Sequence, residues 1–264
     1  HGSEDSHARA LWAVATALGR SKNVGHRKLC ALLFQRGLPP VARFSSPRAW
    51  AFTLIAVHEY LRTLSGDRVV SQMRDTLTTM LVGLFHANSS PDWQWFERIA
   101  TYDNAKLSHA LILSGYWTSQ GETLDIGLRS LRWLLEAQTT PDGHFAPIGC
   151  NGFWPRGGEK ARFDQQPLEA HAMVSACLEA FFVTRDSFWH VSRAQRSRPA
   201  ALRSHDRRVP RRAAAGPSEP KPGGRIEPCV LALLGGTPPR GRAGLAMSPV
   251  EVQPTGGYFR PDSK

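Results

Sequence analysis

Along most of the chain, apolar residues return every three or four positions, and short polar stretches interrupt that rhythm. From Ala8 to Leu18, residues Leu11, Val14, Ala15 and Leu18 mark one helical face, and Gly19 is a natural stop. A second helix is predicted over about Lys28 to Gln35, ahead of Pro39-Pro40. Ser46-Pro47 combines a capping hydroxyl with a first-turn proline, and the pattern then runs through Phe52, Ile55, Ala56 and Tyr60 to Leu64. Further helices are predicted at about Asp67 to Phe85, Asn104 to Tyr116, Glu122 to Gln138 and Pro167 to Phe182, and Asp186 opens another. Strand-like alternation is hardly visible, so the fold class is all-α.

The connections differ in kind. Ser65-Gly66-Asp67, Ser119-Gln120-Gly121-Glu122 and Thr184-Arg185-Asp186 read as tight turns, whereas 87–103 and 139–166 are long and chemically loaded. Short turns at one end and long loops at the other are the layout of stacked αα-hairpins. An open solenoid shares that periodicity, but its repeats are shorter and more regular. The expectation is therefore a closed αα-toroid over residues 1–190, with a disordered tail behind it.

Composition changes this picture at the carboxy-terminal end. The net charge of +11 divides unevenly: residues 1–190 hold 19 Lys+Arg against 17 Asp+Glu, and residues 191–264 hold 14 against 5. The last 74 residues also carry 11 of the 19 prolines, a mixture that cannot bury enough apolar surface to offset its ordering entropy. Segment 191–264 is expected to be a basic disordered tail, or the product of a coding frame that slipped between Phe188 and Arg193. A nearly neutral body argues against nucleic acid as a partner. No run approaches the roughly 20 apolar residues of a membrane helix, and the polar first residues do not read as a leader, so no membrane and a cytoplasmic location are expected. Cys30, Cys150, Cys177 and Cys229 are widely spaced and read mostly as buried free thiols; no spacing suggests a metal, and no cofactor is implied.

The loaded loops hold the candidate chemistry. Asp92-Trp93-Gln94-Trp95-Phe96-Glu97 puts two acids and three aromatics in six residues, and Tyr102-Asp103-Asn104 leads into the next helix. Tryptophan offers a flat face to a sugar ring while carboxylates and amides take its hydroxyls. The structural alternative is that Trp93 and Phe96 pack the loop while Asp103 or Asn104 caps a helix. Further along lie Asp142-Gly143-His144-Phe145 and Phe163-Asp164-Gln165-Gln166-Pro167-Leu168-Glu169, where Asp164 could instead cap the helix at Pro167, with Glu169 near the positive end of its dipole. At the amino-terminal helix start, Asp5 or Ser6 can cap while His7 and Arg9 occupy the first turn.

Four segments together, Gly2 to Trp12, Asp92 to Glu97, Tyr102 to Leu107 and Phe163 to Pro167, resemble the six-hairpin (α/α)6-toroid carbohydrate-active proteins. In particular they resemble a bacterial group labelled glycosyltransferase or glycosidase-like. The resemblance spans roughly residues 2–190 and implies an (α/α)6 fold with carbohydrate bound at the loop-rich end. The chain holds seven or eight predicted helices where a toroid needs about twelve.

The resulting expectation is a glycoside hydrolase-like protein acting on or binding an oligosaccharide. Hydrolysis needs two carboxyls flanking the scissile bond, about 5.5 Å apart for retention and roughly 6.5–9.5 Å for inversion. Asp92, Glu97, Asp103 and Asp164 are the candidate acids. Burial beside Trp95 is the environment that lets a general acid keep its proton, and Glu97 is placed to use it. Asp5, His7, Arg9, Trp93, Trp95, Tyr102, Asn104, His144, Gln165 and Gln166 are the candidate substrate contacts. The alternatives are a non-catalytic glycan-binding or glycosyltransferase-associated module and a sugar epimerase on the same toroid. A transferase gains no support from strand–helix alternation or a glycine-rich phosphate loop, since neither is present.

Overall fold

A computed structural model describes residues 2–189; segment 191–264, with the readings of a disordered tail and a frame slip, lies outside the described residues, as does Cys229. Seven α-helices occur among the described residues: α1 Glu4–Arg20, α2 Val24–Gly37, α3 Pro47–Leu61, α4 Arg68–Asn88, α5 Ala105–Trp117, α6 Gly121–Ala137 and α7 Pro167–Thr184. Short 3-10 turns cover Pro39–Arg43 and Ser187–Trp189, the latter where Asp186 was expected to open a helix. Two residues of β1, Ile99–Ala100, pair antiparallel with β2, Trp154–Pro155, and pin the two long loops to each other.

The start signals act as expected in part. Ser46 Oγ accepts from the Ala49 amide 3.3 Å away, and Pro47 occupies the first turn of α3. Asn23 and Asp67 cap α2 and α4 in the same way. Three expected caps are corrected. Ser3, not Asp5 or Ser6, caps α1, because the helix begins at Glu4. Neither Asp103 nor Asn104 caps α5, and Asp164 does not cap α7; it sits exposed in a left-handed conformation at φ 59°, with Gln166 in the cap position. Glu169, in the first turn of α7, reaches across and accepts from the Asp103 and Asn104 amides, satisfying donors at the start of a different helix.

Packing follows the hairpin layout. Helices α1, α3, α5 and α7 lie side by side in that order, and α2, α4 and α6 each fold back on the odd helix before them. The odd helices begin at the same end, which collects the long connections 38–46, 89–104 and 138–166. Helices α3 and α5, in the middle of the row, are buried nearly all round. Their backbones need close neighbours: a Cβ on Gly115 would stand 2.3 Å from the Leu124 amide nitrogen, and one on Gly127 would stand 2.8 Å from that of Ile112. Glycine at both positions lets α5 and α6 touch, and Ser108 and Ser130 share a 2.8 Å hydrogen bond across the seam. All four odd helices contribute to one cleft. At the usual spacing of about 8–10 Å per helix pair, α1 and α7 in a flat row would stand too far apart for that, so the row is curved around the cleft.

No described helix is long and apolar enough to cross a membrane. Cys177 is a buried free thiol, whereas Cys30 and Cys150 are free but only half-buried.

Candidate functional site

Two neighbouring features carry the chemistry: a polar cluster where the odd helices begin, and the cleft that runs along them. The cluster gathers residues from four distant parts of the chain. Arg9 of α1 donates to Asp103 at 2.6 Å, and its guanidinium lies 4.0 Å from the Phe52 ring centre. Asp5 accepts from the Tyr102 hydroxyl and from Ser46 Oγ at 2.9 Å. Arg48, buried in the first turn of α3, donates to Glu97 at 2.6 Å, to the Tyr102 carbonyl at 2.5 Å and to Asn104 Oδ1 at 3.2 Å. Glu169 closes the group on Asn104 Nδ2 at 3.1 Å.

Burial sets the electrostatics here. It pushes the Asp103 carboxyl up from its ordinary value, against the pull of Arg9 and Lys106. It likewise raises Glu169, whose backbone hydrogen bonds work in the opposite direction. The Tyr102 hydroxyl is pushed up to about 12 by desolvation and by the Asp5 carboxylate. Asp103 is fully buried, and its Oδ1 has no hydrogen-bond partner.

The cleft has a volume of about 250 Å³ and takes one stripe from each odd helix. Trp12, Thr16 and Arg20 come from α1 at intervals of four; Lys106, His109, Leu113 and Trp117 come from α5 at intervals of three and four. Helix α3 adds His58, Glu59 and Arg62, and α7 adds His171, Ser175 and Glu179. Lys106 is 1% exposed, has no hydrogen bond to its Nζ, and stands 4.7 Å from the Trp12 ring centre. Burial lowers it to about 8, with Asp103 opposing. His109 is held well below its usual value by burial and by Lys106, and its Nδ1 is also unpartnered. His58 is lowered to about 3 by burial and shares a 3.1 Å hydrogen bond with Ser114. At the far end Glu179 is raised by desolvation and by Glu59, which is itself 3.5 Å from Arg62.

The sequence-derived candidates therefore separate into groups. Asp5, Arg9, Glu97, Tyr102, Asp103 and Asn104 meet in the polar cluster. His7 lies nearby on α1, but its Nε2 is engaged by the Gly37 carbonyl at 2.6 Å. Trp93 and Trp95 are 3% and 0% exposed and pack with Trp133 and Trp154, so they offer no face to a ligand. The apolar side of tryptophan outcompeted its sugar-stacking use in that loop, because four indoles burying one another remove a large area from water. The expected setting of Glu97 against Trp95 is replaced by its ion pair with Arg48. Asp92 is exposed, lowered by a 2.6 Å hydrogen bond from Ser90. His144, Asp164, Gln165 and Gln166 are exposed in the other long loop.

Sequence reasoning centred on the loops missed Arg48, Lys106, His109, Trp117, His171 and Glu179, and placed Glu169 at the start of its own helix rather than on the Asp103 and Asn104 amides. The available signal was ionisable residues on the apolar faces of helices, clearest at Lys106 and His109 in the otherwise apolar α5. Among the described residues no three His, Cys, Asp or Glu side chains are grouped to hold a metal. A scan against protein-family models and a search of curated proteins give no match.

Proposed function

We propose that this chain is a saccharide-binding, glycosidase-like protein of the αα-toroid type, with the cleft along the odd helices as its sugar site. The observation that carries the reading is the lining of that cleft: the Trp12 and Trp117 indoles give it apolar surface, and the polar groups between them can take hydroxyls. The curved row of parallel helices, with hairpin partners packed behind it, supports a ring of αα-hairpins as the complete architecture. The cleft is slightly smaller than the roughly 300–1,000 Å³ of sites for drug-sized ligands, which suits a small saccharide or the end of a longer one.

Hydrolysis falls to Glu179 and Glu59. Glu179 holds its proton more firmly than an ordinary glutamate, which fits a general acid, and Glu59 lies near enough to add to that effect. Of the loop acids, Glu97 and Asp103 are neutralised by arginine and serve to fix the helix starts. The same neutralisation favours a second reading, a glycan-binding module without turnover, because the partner of Glu179 is itself paired with Arg62.

The test is a screen of the full chain against mannosides and glucosides for binding and turnover. The proposal expects Trp117→Ala to abolish binding and Glu179→Gln to abolish turnover while binding persists. Binding without turnover in the unaltered chain selects the module. Binding that survives Trp117→Ala, or no binding to any saccharide, overturns the assignment of the cleft.

A further inference from the structure

The two ends of the cleft differ in charge. Glu59, Arg62 and Glu179 sit toward the ends of α3 and α7, where acids and base offset one another. The other end is built from nitrogen. Lys106 lies in the first turn of α5, His109 one turn on, and His171 in the facing part of α7. Lys106 Nζ and His109 Nδ1 are both buried and both lack a hydrogen bond. Buried polar groups in folded proteins nearly always have partners, and an unpaired ammonium is the costliest exception. Asp103, the carboxylate that acts on Lys106, gives one oxygen to Arg9 at 2.6 Å, leaves Oδ1 without a hydrogen bond, and forms no ion pair with Lys106. Glu169 is committed to the start of α5. Only the Trp12 ring face meets the Lys106 charge.

We propose that this end of the cleft recognises an oxyanion carried by a sugar, so that the ligand is an acidic saccharide, bearing a carboxylate or a phosphate, rather than a neutral one. The proposal rests on the cleft being a saccharide site and narrows the ligand class. Lysine is a compact point charge on a flexible stem, suited to either oxyanion, and Lys106 lines the cleft. His109 and His171 supply further N–H donors, and Trp12 packs the ring from which the oxyanion projects. The groups facing Lys106 are Asp103 at its own helix start, Arg9 and Trp12 from α1, His109 from α5 and His171 from α7, with His58 of α3 acting on His109. The Asp103 carboxylate, already paired with Arg9, thus stands beside that guanidinium, the Lys106 amine and two imidazoles, and an incoming anion improves the balance. Because the amine loses its proton near pH 8, affinity for the anion is full below that value and falls as pH rises through it.

The experiment compares binding of glucose, glucuronate, glucose 6-phosphate and inorganic phosphate to the full chain by calorimetry at pH 7 and pH 9.5. At least one acidic sugar is expected to bind about tenfold more tightly than glucose, a difference of about 1.4 kcal/mol, and to lose most of that advantage at pH 9.5. Lys106→Met should erase the preference, so that the acidic sugars bind no more tightly than glucose, while Lys106→Arg keeps part of it. Thermal melting of both variants checks that the fold survives, and Lys106→Arg, which keeps the charge beside Asp103, serves as the second variant. Glucose binding as tightly as both acidic sugars, or a preference that survives Lys106→Met, overturns the acidic-sugar assignment and leaves the saccharide site standing. Inorganic phosphate binding as tightly as glucose 6-phosphate shows an oxyanion site with no use for the ring and overturns it as well. Failure of all four to bind removes the saccharide reading itself.

Discussion

Two groups of tryptophans in this molecule do opposite things. Trp93, Trp95, Trp133 and Trp154 form a closed knot that fastens the long loops to α6; Trp133 and Trp154 stack at 5.2 Å between ring centres and are 1° from parallel. Trp93 and Trp154 meet edge-on at 4.9 Å, and the Trp93 indole donates to the Glu97 carbonyl at 2.8 Å. Trp12 and Trp117 instead stand on helices and line the cleft, Trp12 with Phe52 stacked at 6.3 Å and the Lys106 ammonium 4.7 Å from its ring centre. The difference lies in whether the surrounding chain can close over the ring. A loop can fold onto its own indoles, but a helix holds its side chains at fixed bearings and leaves some of them looking into open space.

The largest effect that distinguishes the two groups is on stability. Trp95→Ala should cost about 4 kcal/mol, read by denaturant unfolding, because it opens a cavity inside the knot. A loss under 1 kcal/mol would mean that the loops do not depend on it. Next comes the seam that carries Trp133: Gly115→Ala drives a methyl into the Leu124 backbone and should cost about 2 kcal/mol, whereas Gly83→Ala, with nothing within 4 Å, should be neutral or mildly stabilising.

The cleft side responds to pH. His58 is held at about 3 in the fold against 6.5 in the open chain, so the unfolded state takes up the proton first. Stability is therefore fully present above pH 6.5 and is lost as pH falls from there toward 3. Asp103 and Glu169, shifted upward, act with the opposite sign just above the ordinary carboxylate range and soften the slope. Denaturation at pH 7 and pH 4.5 should show the loss, and His58→Gln should flatten it. A smaller effect is expected from Lys106, whose folded value of about 8 lies below its usual 10.5: stability should rise between those pH values, and Lys106→Met should remove the rise. Trp117→Ala should cost less than Trp95→Ala, since its side chain is 36% exposed and that of Trp95 0%, and the cost is coupled to the loss of saccharide binding. A large destabilisation there would erase the contrast with the knot.

How much of this was legible in the sequence follows from the range of the forces involved. Helix positions come from local periodicity and caps, and Ser46-Pro47 or the turn at Gly66-Asp67 needs no distant partner to act. The gathering of Asp5, Arg9, Tyr102, Asp103 and Asn104 was also foreseeable, because each sits at the start of a helix in a row whose starts share one end. Glu169 was not. It satisfies the cap pattern of its own helix in the sequence, while the amides it serves lie 65 residues away. The loop tryptophans misled for a related reason: composition records that an indole is present but not whether other indoles cover it. Lys106 and His109 were hidden by their apolar surroundings, which is the property that makes them chemically interesting.

The Glu169 contact also has a kinetic side. Helix α5 has no side chain of its own to satisfy its first amides; it takes those acceptors from α7, which the chain makes last among the described helices. Its opening turn should therefore fray in any intermediate that lacks α7, leaving Asp103 and Lys106 unplaced while the α5–α6 seam is already formed. In pulsed hydrogen exchange during refolding, the amides of residues 103 and 104 should gain protection only when α7 docks, later than those at the middle of α5. The end of the cleft that holds the buried lysine is thus among the last parts of the molecule to assemble.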